Sequence, residues 1–196
     1  SKKYDASGSD RIQIDIVDEN DNIIDYRKFR TAWQNEKGKD RFRVIPIKFL
    51  DGGKKTEAKM QIPVSYLGLS RLFPIGEANE EKIVKNKINF MDDKQKNWFI
   101  EQYKQILSLY DTVTDISNYS IGETDKKKGV GIETDKYDYL TNSSGQDNLG
   151  QILMAILSFK RLKLQREDWT GGLLLIDEID ATLHPAAQKR LIDLLI

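Results

Sequence analysis

The 196-residue sequence predicts an α/β fold with an antiparallel β lobe, a short helical insertion and one parallel core strand. Alternating apolar side chains in residues 11–17 indicate a half-buried strand, as antiparallel sheets have. The uninterrupted apolar run of residues 173–176 is typical of a strand buried on both faces of a parallel sheet. Helical periodicity, clearest near residues 147–163, lies between these regions. The predicted class is therefore mixed.

Two predicted hairpins occupy the first third of the chain. In the first hairpin, strand 11–17 is followed by a polar turn, residues 18–22, and by a second strand that begins at residue 23. The second joins residues 41–50 to residues 59–66 through Asp51-Gly52-Gly53, a sequence that suits a hairpin turn. We therefore predict that residues 1–77 form a lobe of mostly antiparallel sheet.

Residues 78–112 are predicted to form the short helical insertion. Asp92 and Asp93 can cap a helix. The apolar residues of this helix fall on one face. They are Phe99, Tyr103, Ile106, Leu107 and Tyr110. A polar hairpin over roughly residues 117–139 follows, and then the second amphipathic helix, from about Asp147 to Lys163.

Charge and composition exclude several classes of function. Lysine plus arginine and aspartate plus glutamate number 31 each, so the formal net charge is zero and no overall field draws the chain to nucleic acid or an anionic membrane. No cysteine is present and His184 is the sole histidine, which excludes disulfides, thiolate metal sites and multi-histidine centres. No apolar run approaches the roughly 18 residues that span a bilayer, and no signal peptide is evident. We expect a soluble, cytoplasmic protein without a membrane partner.

The strongest functional signal is a pair of carboxylates, Asp177 and Glu178, directly after the apolar strand 173–176. The C-terminal end of such a strand is where open α/β sheets bind ligands. The pattern has the form of a Walker B strand, in which the first carboxylate holds Mg²⁺, usually through water, and the second polarises the attacking water. A buried strand that ends in an acidic turn, without function, is the structural alternative.

Residues 177–185 read Asp-Glu-Ile-Asp-Ala-Thr-Leu-His-Pro. This stretch resembles the Walker B and D-loop of the ABC-class ATPases, in the branch that contains SMC, RecF, RecN and OLD-type proteins. The resemblance implies that Asp177 is the magnesium residue and Glu178 the catalytic base. It also implies a D-loop that faces a partner subunit, formed by Asp180, Ala181, Thr182, Leu183 and His184. Beside Pro185, we interpret His184 as a capping or packing group, with a catalytic role as the alternative.

The segment Asn142-Ser143-Ser144-Gly145-Gln146 resembles the ABC signature Leu-Ser-Gly-Gly-Gln. Ser143, Gly145 and Gln146 match that pattern, whereas Asn142 and Ser144 replace its leucine and its first glycine. A serine hydroxyl, a glycine that lets the backbone approach a phosphate, and a helix N-terminus together form an anion site. Taken alone, the segment is a helix-capping turn. However, the segment lies upstream of the carboxylate pair, in the order and at a separation comparable with those of ABC heads, which favours its interpretation as the signature. The resemblance then implies that residues 143–146 contact nucleotide held by another subunit.

Chain order alone places Ser70 and Arg71 where ABC heads carry the Q-loop. No glutamine occurs in residues 65–71, so the match is positional. Arg71 is interpreted as part of a surface salt bridge, with contact to a phosphate as the alternative.

The resemblance implies ATP and Mg²⁺ as ligands and a homodimer, or a higher homo-oligomer, joined through ATPase heads. Residues 113–196 would then carry the signature, Walker B and D-loop of one ATPase domain. No Gly-x-x-x-x-Gly-Lys-Ser/Thr sequence occurs in the chain. We therefore expect an internal stretch of a larger ATPase, with its P-loop and switch histidine outside these residues, and no ATP hydrolysis by the stretch alone.

The compact predicted head looks like the ATPases of Septu-type (PtuA-like) anti-phage systems, which work beside an HNH nuclease. That resemblance implies a nuclease partner. A DNA-repair ATPase of the RecF or SMC type is the alternative enzyme, and a non-hydrolysing nucleotide-dependent scaffold is the alternative of another class. Binding to nucleic acid stays open.

Overall fold

The computed structural model describes residues 8–18, 20–50, 53–56, 62–78, 83–121, 127–167 and 171–196. The chain divides into two compact units, residues 1–61 and residues 62–196. Three α-helices occur among the described residues, together with antiparallel and parallel strand pairs. The prediction of a mixed α/β fold is confirmed at this level. Residues 62–77, assigned from sequence to the first lobe, lie in the second unit.

The first unit is a four-stranded antiparallel sheet in sequential order. Its strands are β1 (Gly8–Val17), β2 (Ile23–Glu36), β3 (Lys39–Phe49) and β4 (Lys55–Thr56). The turn between β1 and β2 is held by Asp18, whose Oδ1 accepts hydrogen bonds from the backbone amides of Asn20 and Asn22 at 2.8 and 2.9 Å. Strand 11–17 and its hairpin are thus confirmed. However, Ile12 and Ile14 are exposed rather than half-buried.

The second hairpin was predicted with the wrong partner strand for residues 41–50. Among the described residues, strand β3 pairs at this end with the two-residue β4, through Lys48↔Thr56 and Phe49↔Lys55. Residues 51–52 of the predicted turn and residues 57–61 lie outside the described part of the chain. The end of the predicted strand 59–66 instead belongs to the second unit. Local pattern indicates that a segment is extended, but it does not select the partner strand.

The second unit contains five strands and three α-helices among its described residues. They are β5 (Val64–Leu67), β6 (Ile83–Lys87), α1 (Asp93–Leu107), β7 (Val113–Ile121), β8 (Lys127–Thr134), α2 (Ser144–Gln165), β9 (Leu173–Ile176) and α3 (Pro185–Leu195). Strands β6, β7 and β8 form an antiparallel sheet, and β5 pairs with β9 in parallel. The predicted hairpin of residues 117–139 corresponds to β7 and β8.

The predicted helical insertion needs two corrections. Residues 83–87 form a strand that pairs with β7, so the segment is not wholly helical. Helix α1 begins after Asp92, whose side chain accepts a hydrogen bond from the Gln95 amide at 2.8 Å, as predicted. It ends at Leu107, because Ser108 adopts the left-handed conformation (φ 55°). Tyr110, predicted on the buried face, therefore lies beyond the helix and is 91% exposed.

Helix α2 lies in the centre of the hydrophobic core of the second unit. The core joins α1, β8, α2 and α3 through fully buried side chains such as Phe99, Ile106, Ile132, Leu149, Leu153, Leu157 and Leu191. Burial of each such side chain stabilises the fold by about 1.5–3 kcal/mol. Leu67 and Ile176 pack against this core, which fixes the C-terminal ends of β5 and β9.

Strand β9 is not buried on both faces, contrary to prediction. Leu173 and Leu175 are 40% and 44% exposed, and their parallel partners Val64 and Tyr66 are exposed on the same face. Among the described residues, the packing elements cover the other face alone. Within the same ranges, no helix has both the length and the apolar character needed to cross a membrane.

Candidate functional site

Asp177 and Glu178 lie at the C-terminal end of the parallel β5–β9 pair. The backbone amide of Asp177 donates a hydrogen bond to the carbonyl of Leu67 at 3.0 Å, so the ladder continues one residue past β9. Both acidic residues are exposed. This is the edge at which open α/β sheets bind ligands, and it is the position that the sequence predicts for the carboxylate pair.

The turn that follows β9 has an uncommon backbone conformation. Glu178 has a φ of 47° and Thr182 a φ of 65°, in the left-handed region that residues with a side chain rarely adopt. The amide of Ala181 donates to the carbonyl of Glu178 at 3.0 Å. We refer to residues 177–182 as the acidic turn. Its conformation requires support from the surrounding structure.

Arg71 supplies much of that support, and its predicted role in a surface salt bridge is wrong. The side chain is buried, with 2% of its surface exposed. Its Nε donates to Asn148 Oδ1 at 2.8 Å, and Nη1 donates to the carbonyls of Leu67 and Gly68 at 2.9 and 3.0 Å. Its Nη2 donates to the carbonyls of Asp177 and Glu178, the latter at 3.0 Å. All five N–H donors of the guanidinium are thus used.

The charge of Arg71 lies directly behind the carboxylate pair. Burial lowers the pKa of Arg71, while the negative charges of Asp177 and Glu178 raise it. Arginine nevertheless remains protonated in proteins. A fixed positive charge therefore lies at the base of the acidic turn.

Asn148 is the second buried polar residue of this cluster, and sequence analysis missed it. It is fully buried, and its Nδ2 donates to the carbonyl of Ala181 at 3.1 Å and to Thr182 Oγ1 at 3.3 Å. Arg71 and Asn148 thereby join the end of β5, the first turns of α2 and the acidic turn. The signal in the sequence was an asparagine beside Leu149 in a helix interior, where asparagine is unfavourable without a specific partner.

The signature-like segment forms a helix cap. Ser143 is the N-cap of α2: its Oγ accepts from the Gln146 amide at 3.3 Å, and Gln146 Oε1 accepts from the Ser143 amide at 2.7 Å. This reciprocal pair is a capping box. Gln146 Nε2 also donates to the hydroxyl of Tyr137 at 2.8 Å. The segment thus forms the helix-capping turn that the sequence offered as the alternative. Helix α2 begins at Ser144, earlier than the predicted Asp147.

Gly145 is required by packing within the chain. A Cβ atom at this position would lie 2.4 Å from the carbonyl oxygen of Thr182, far inside van der Waals contact. The first turn of α2 can approach the acidic turn only because residue 145 has no side chain. The glycine is therefore explained without access of a phosphate to the backbone.

The next residue, Asp147, is a buried carboxyl that sequence analysis did not single out. Its Oδ2 accepts a hydrogen bond from the amide of Ile75 at 2.8 Å. Burial raises the pKa of Asp147 to about 6, and the Ile75 amide opposes this shift. The docking of α2 thus includes an ionisable contact.

His184 caps helix α3. Its Nδ1 accepts a hydrogen bond from the amide of Ala186 at 3.3 Å, and Pro185 occupies the first position of the helix. The interpretation of His184 as a capping group is confirmed. Gln188 Nε2 fastens the same region by donating to the carbonyls of Asp180 and Leu183, both at 2.9 Å.

The signature-like segment and the D-loop segment line one surface cavity of about 450 Å³. Its lining includes Ser143, Gly145, Thr182, Leu183 and His184. Two motifs that are distant in sequence are therefore neighbours in the fold. Ser70 is exposed in the 3-10 turn Leu69–Leu72, next to the buried Arg71.

Asp177 and Glu178 provide two exposed carboxylates, so a magnesium ion held by them would have to take most of its ligands from elsewhere. Mg²⁺ prefers oxygen ligands, retains several waters, and is often held by one or two carboxylates plus substrate phosphates. Asp177 and Glu178 are exposed oxygen donors of this kind. Within the described ranges, no group of three or more histidine, aspartate or glutamate side chains could hold a metal ion. Phosphate and water oxygens would have to complete such a site.

Comparison of the chain with protein-family models, with curated proteins and with solved structures gives no match in any of the three.

Proposed function

We propose that this chain forms part of the nucleotide site of an ABC-type ATPase head that binds and hydrolyses ATP. In this proposal Asp177 helps to hold Mg²⁺, and Glu178 acts as the general base. Residues 143–146 and 180–184 contact the nucleotide and P-loop of another subunit. The non-hydrolysing scaffold is the competing function.

The observation that carries the proposal is the shared cavity of the signature-like and D-loop segments. A head-to-head dimer requires both segments to face the same partner, and Ser143 and Thr182 line the same cavity. The close approach of Gly145 to the Thr182 carbonyl keeps them together. The N-terminus of α2, a 22-residue helix, contributes a partial positive charge that favours a phosphate.

The chemistry follows from the two carboxylates. A bound Mg²⁺ would neutralise charge on the phosphates, and Asp177 is the residue of this chain that would hold it. Glu178 accepts a proton from the attacking water, which requires its carboxylate to lie within hydrogen-bond reach of that water. Glu178 is exposed, so water can reach its carboxylate.

The proposed assembly is a homodimer of heads that closes with ATP bound and opens after hydrolysis, moving an attached partner. We further propose, from the resemblance of residues 177–185, an anti-phage complex with a nuclease as the biological setting. DNA repair of the RecF or SMC type is the alternative setting.

The decisive test compares Glu178→Gln with Glu101→Gln in the full-length protein. Glu101 is an exposed glutamate of α1, so the control makes the same chemical change outside the site. We expect Glu178→Gln to reduce phosphate release on the order of 10²–10⁴-fold, as for loss of a general base, and to accumulate as an ATP-bound dimer in size-exclusion chromatography. Wild-type hydrolysis by Glu178→Gln would refute the assignment and favour the scaffold.

A further inference from the structure

The acidic turn contains two left-handed residues, one near each end. Glu178 has a φ of 47° and Thr182 a φ of 65°. Neither is glycine, asparagine or aspartate, the residues that adopt this conformation most readily. Such conformations persist when the surrounding structure holds them, and they concentrate at functional sites.

Each left-handed residue is held by one member of a buried pair. Arg71 Nη2 donates to the carbonyl of Glu178 at 3.0 Å. Asn148 Nδ2 donates to the hydroxyl of Thr182 at 3.3 Å and to the carbonyl of the preceding Ala181 at 3.1 Å. Because Arg71 Nε donates to Asn148 Oδ1 at 2.8 Å, the two supports form one connected network.

The network also ties the turn to elements that do not carry the carboxylates. Arg71 Nη1 donates to the carbonyls at the end of β5, and Asn148 belongs to the first turns of α2. A lysine has one nitrogen with three donors, whereas the planar guanidinium presents five in a fixed arrangement. Arginine is thus the residue that can reach β5, α2 and the acidic turn at the same time.

We propose that Arg71 and Asn148 are positioning residues. They hold the acidic turn with Glu178 and Thr182 in the left-handed conformation, and they align Glu178 by joining the turn to α2. The inference rests on the proposed function, in which Glu178 is the general base. It gives Arg71 a role through the backbone of Glu178 and not through contact with a phosphate.

The consequence for catalysis follows from geometry. If Glu178 left its left-handed conformation (φ 47°), the direction of its Cα–Cβ bond, and with it the position of its carboxylate, would change. A displacement of about 1 Å in a reacting group can reduce the rate about 100-fold. Loss of Arg71 should therefore lower kcat more than it alters KM, because Arg71 contacts only the backbone of Asp177 and Glu178 and the side chains proposed to bind Mg²⁺ and nucleotide are all retained.

The test is Arg71→Lys in the full-length protein, with Arg161→Lys as the matched control. Arg161 also ties α2 to a neighbouring segment through an amide oxygen and a carbonyl, since its Nε donates to Gln95 Oε1 and its Nη2 to the carbonyl of Asn89, both at 2.9 Å. We expect Arg71→Lys to reduce kcat on the order of 10- to 100-fold with KM for Mg-ATP within about threefold of wild type. Arg161→Lys should leave both within about threefold.

Hydrogen–deuterium exchange provides a readout that does not depend on activity. The amides of Asp177 and Ala181 are hydrogen-bonded to the carbonyls of Leu67 and Glu178. Both amides should exchange faster in Arg71→Lys and stay protected in Arg161→Lys. If Arg71→Lys does not fold, Asn148→Ala removes the other support and carries the same expectations.

Three outcomes would overturn the inference. They are a wild-type kcat in a folded Arg71→Lys variant, unchanged exchange in the acidic turn, and an equal loss of kcat in Arg161→Lys. Failure of the proposed function is distinguishable, because the wild-type protein would then release no phosphate, or Glu178→Gln would release it normally. In that case faster exchange in Arg71→Lys would still show that the pair holds the turn, while its catalytic role would fall with the function.

Discussion

Arg71 donates a hydrogen bond from Nη2 to the backbone carbonyl of Glu178 at 3.0 Å, so a buried cation holds the backbone of the proposed catalytic residue. The bond is made to the peptide and leaves the Glu178 carboxylate exposed. The support and the chemistry are therefore divided between two residues that lie 107 positions apart in the sequence.

The two carboxylates should divide their labour. Asp177→Asn removes a negative charge from the proposed magnesium ligand, so we expect weaker binding of Mg-ATP as well as slower turnover. Glu178→Gln should leave binding nearly intact, because glutamine is almost isosteric but cannot accept the proton. Fluorescent-nucleotide titration with and without Mg²⁺ measures the difference. Equal nucleotide affinities of Asp177→Asn and wild type would contradict the assignment of Asp177.

Ser143 allows the cap and the phosphate-binding roles to be separated. Ser143→Ala loses the side-chain cap of α2 and should lower the free energy of unfolding by about 0.5–2 kcal/mol. Ser143→Asp preserves a capping oxygen but brings negative charge to the proposed phosphate site. It should fold like the wild type and lose ATP-dependent dimerisation. Urea denaturation and size-exclusion chromatography measure the two effects, and normal dimerisation of Ser143→Asp would limit the segment to a capping role.

Gly145 should tolerate no side chain. Gly145→Ala places a Cβ atom 2.4 Å from the Thr182 carbonyl oxygen, so one of the two turns must move. We expect a loss of about 1–3 kcal/mol in the free energy of unfolding, as for overpacking. The neighbouring Ser144→Ala, at a partly exposed position, is the control and should change stability by less than about 0.5 kcal/mol. Equal stabilities of the two variants would refute the close approach.

The buried Asp147 should make stability depend on pH. Its pKa in the folded protein is raised from the ordinary 3.8 to about 6, so between these values the folded state binds more protons than the unfolded state. The contribution of this group therefore favours folding below about pH 4 and declines as pH rises through 6. The total loss is at most about 3 kcal/mol.

Asp147→Asn removes this titration and keeps an oxygen that can accept from Ile75. Relative to the variant, the wild-type protein should lose stability as the pH rises from 4.5 to 7.5, measured by urea denaturation at several pH values. A constant difference between the two proteins across this range would contradict the raised pKa.

The sequence by itself determined the features that depend on neighbouring residues. The caps of α1 and α3 by Asp92 and His184, the extended run before Asp177, and the amphipathic character of α2 all follow from side chains a few positions apart. Short-range capping and periodicity act within one element, so a single sequence records them. The order of the motifs also indicated which segments carry the candidate chemistry, although ATP hydrolysis stays a proposal.

Only the tertiary structure decided which segments meet. Residues 64–67 are extended in either case, but pairing with β9 instead of β3 moves them into the second unit. In the sequence, Arg71 cannot be distinguished from a surface arginine. The structure shows it surrounded by Asn148, which is 77 residues away, and by the carbonyls of the acidic turn. Gly145 likewise needs the Thr182 carbonyl beside it to explain its lack of a side chain. Burial and close approach are properties of two segments at once, and the sequence of either segment alone does not contain them.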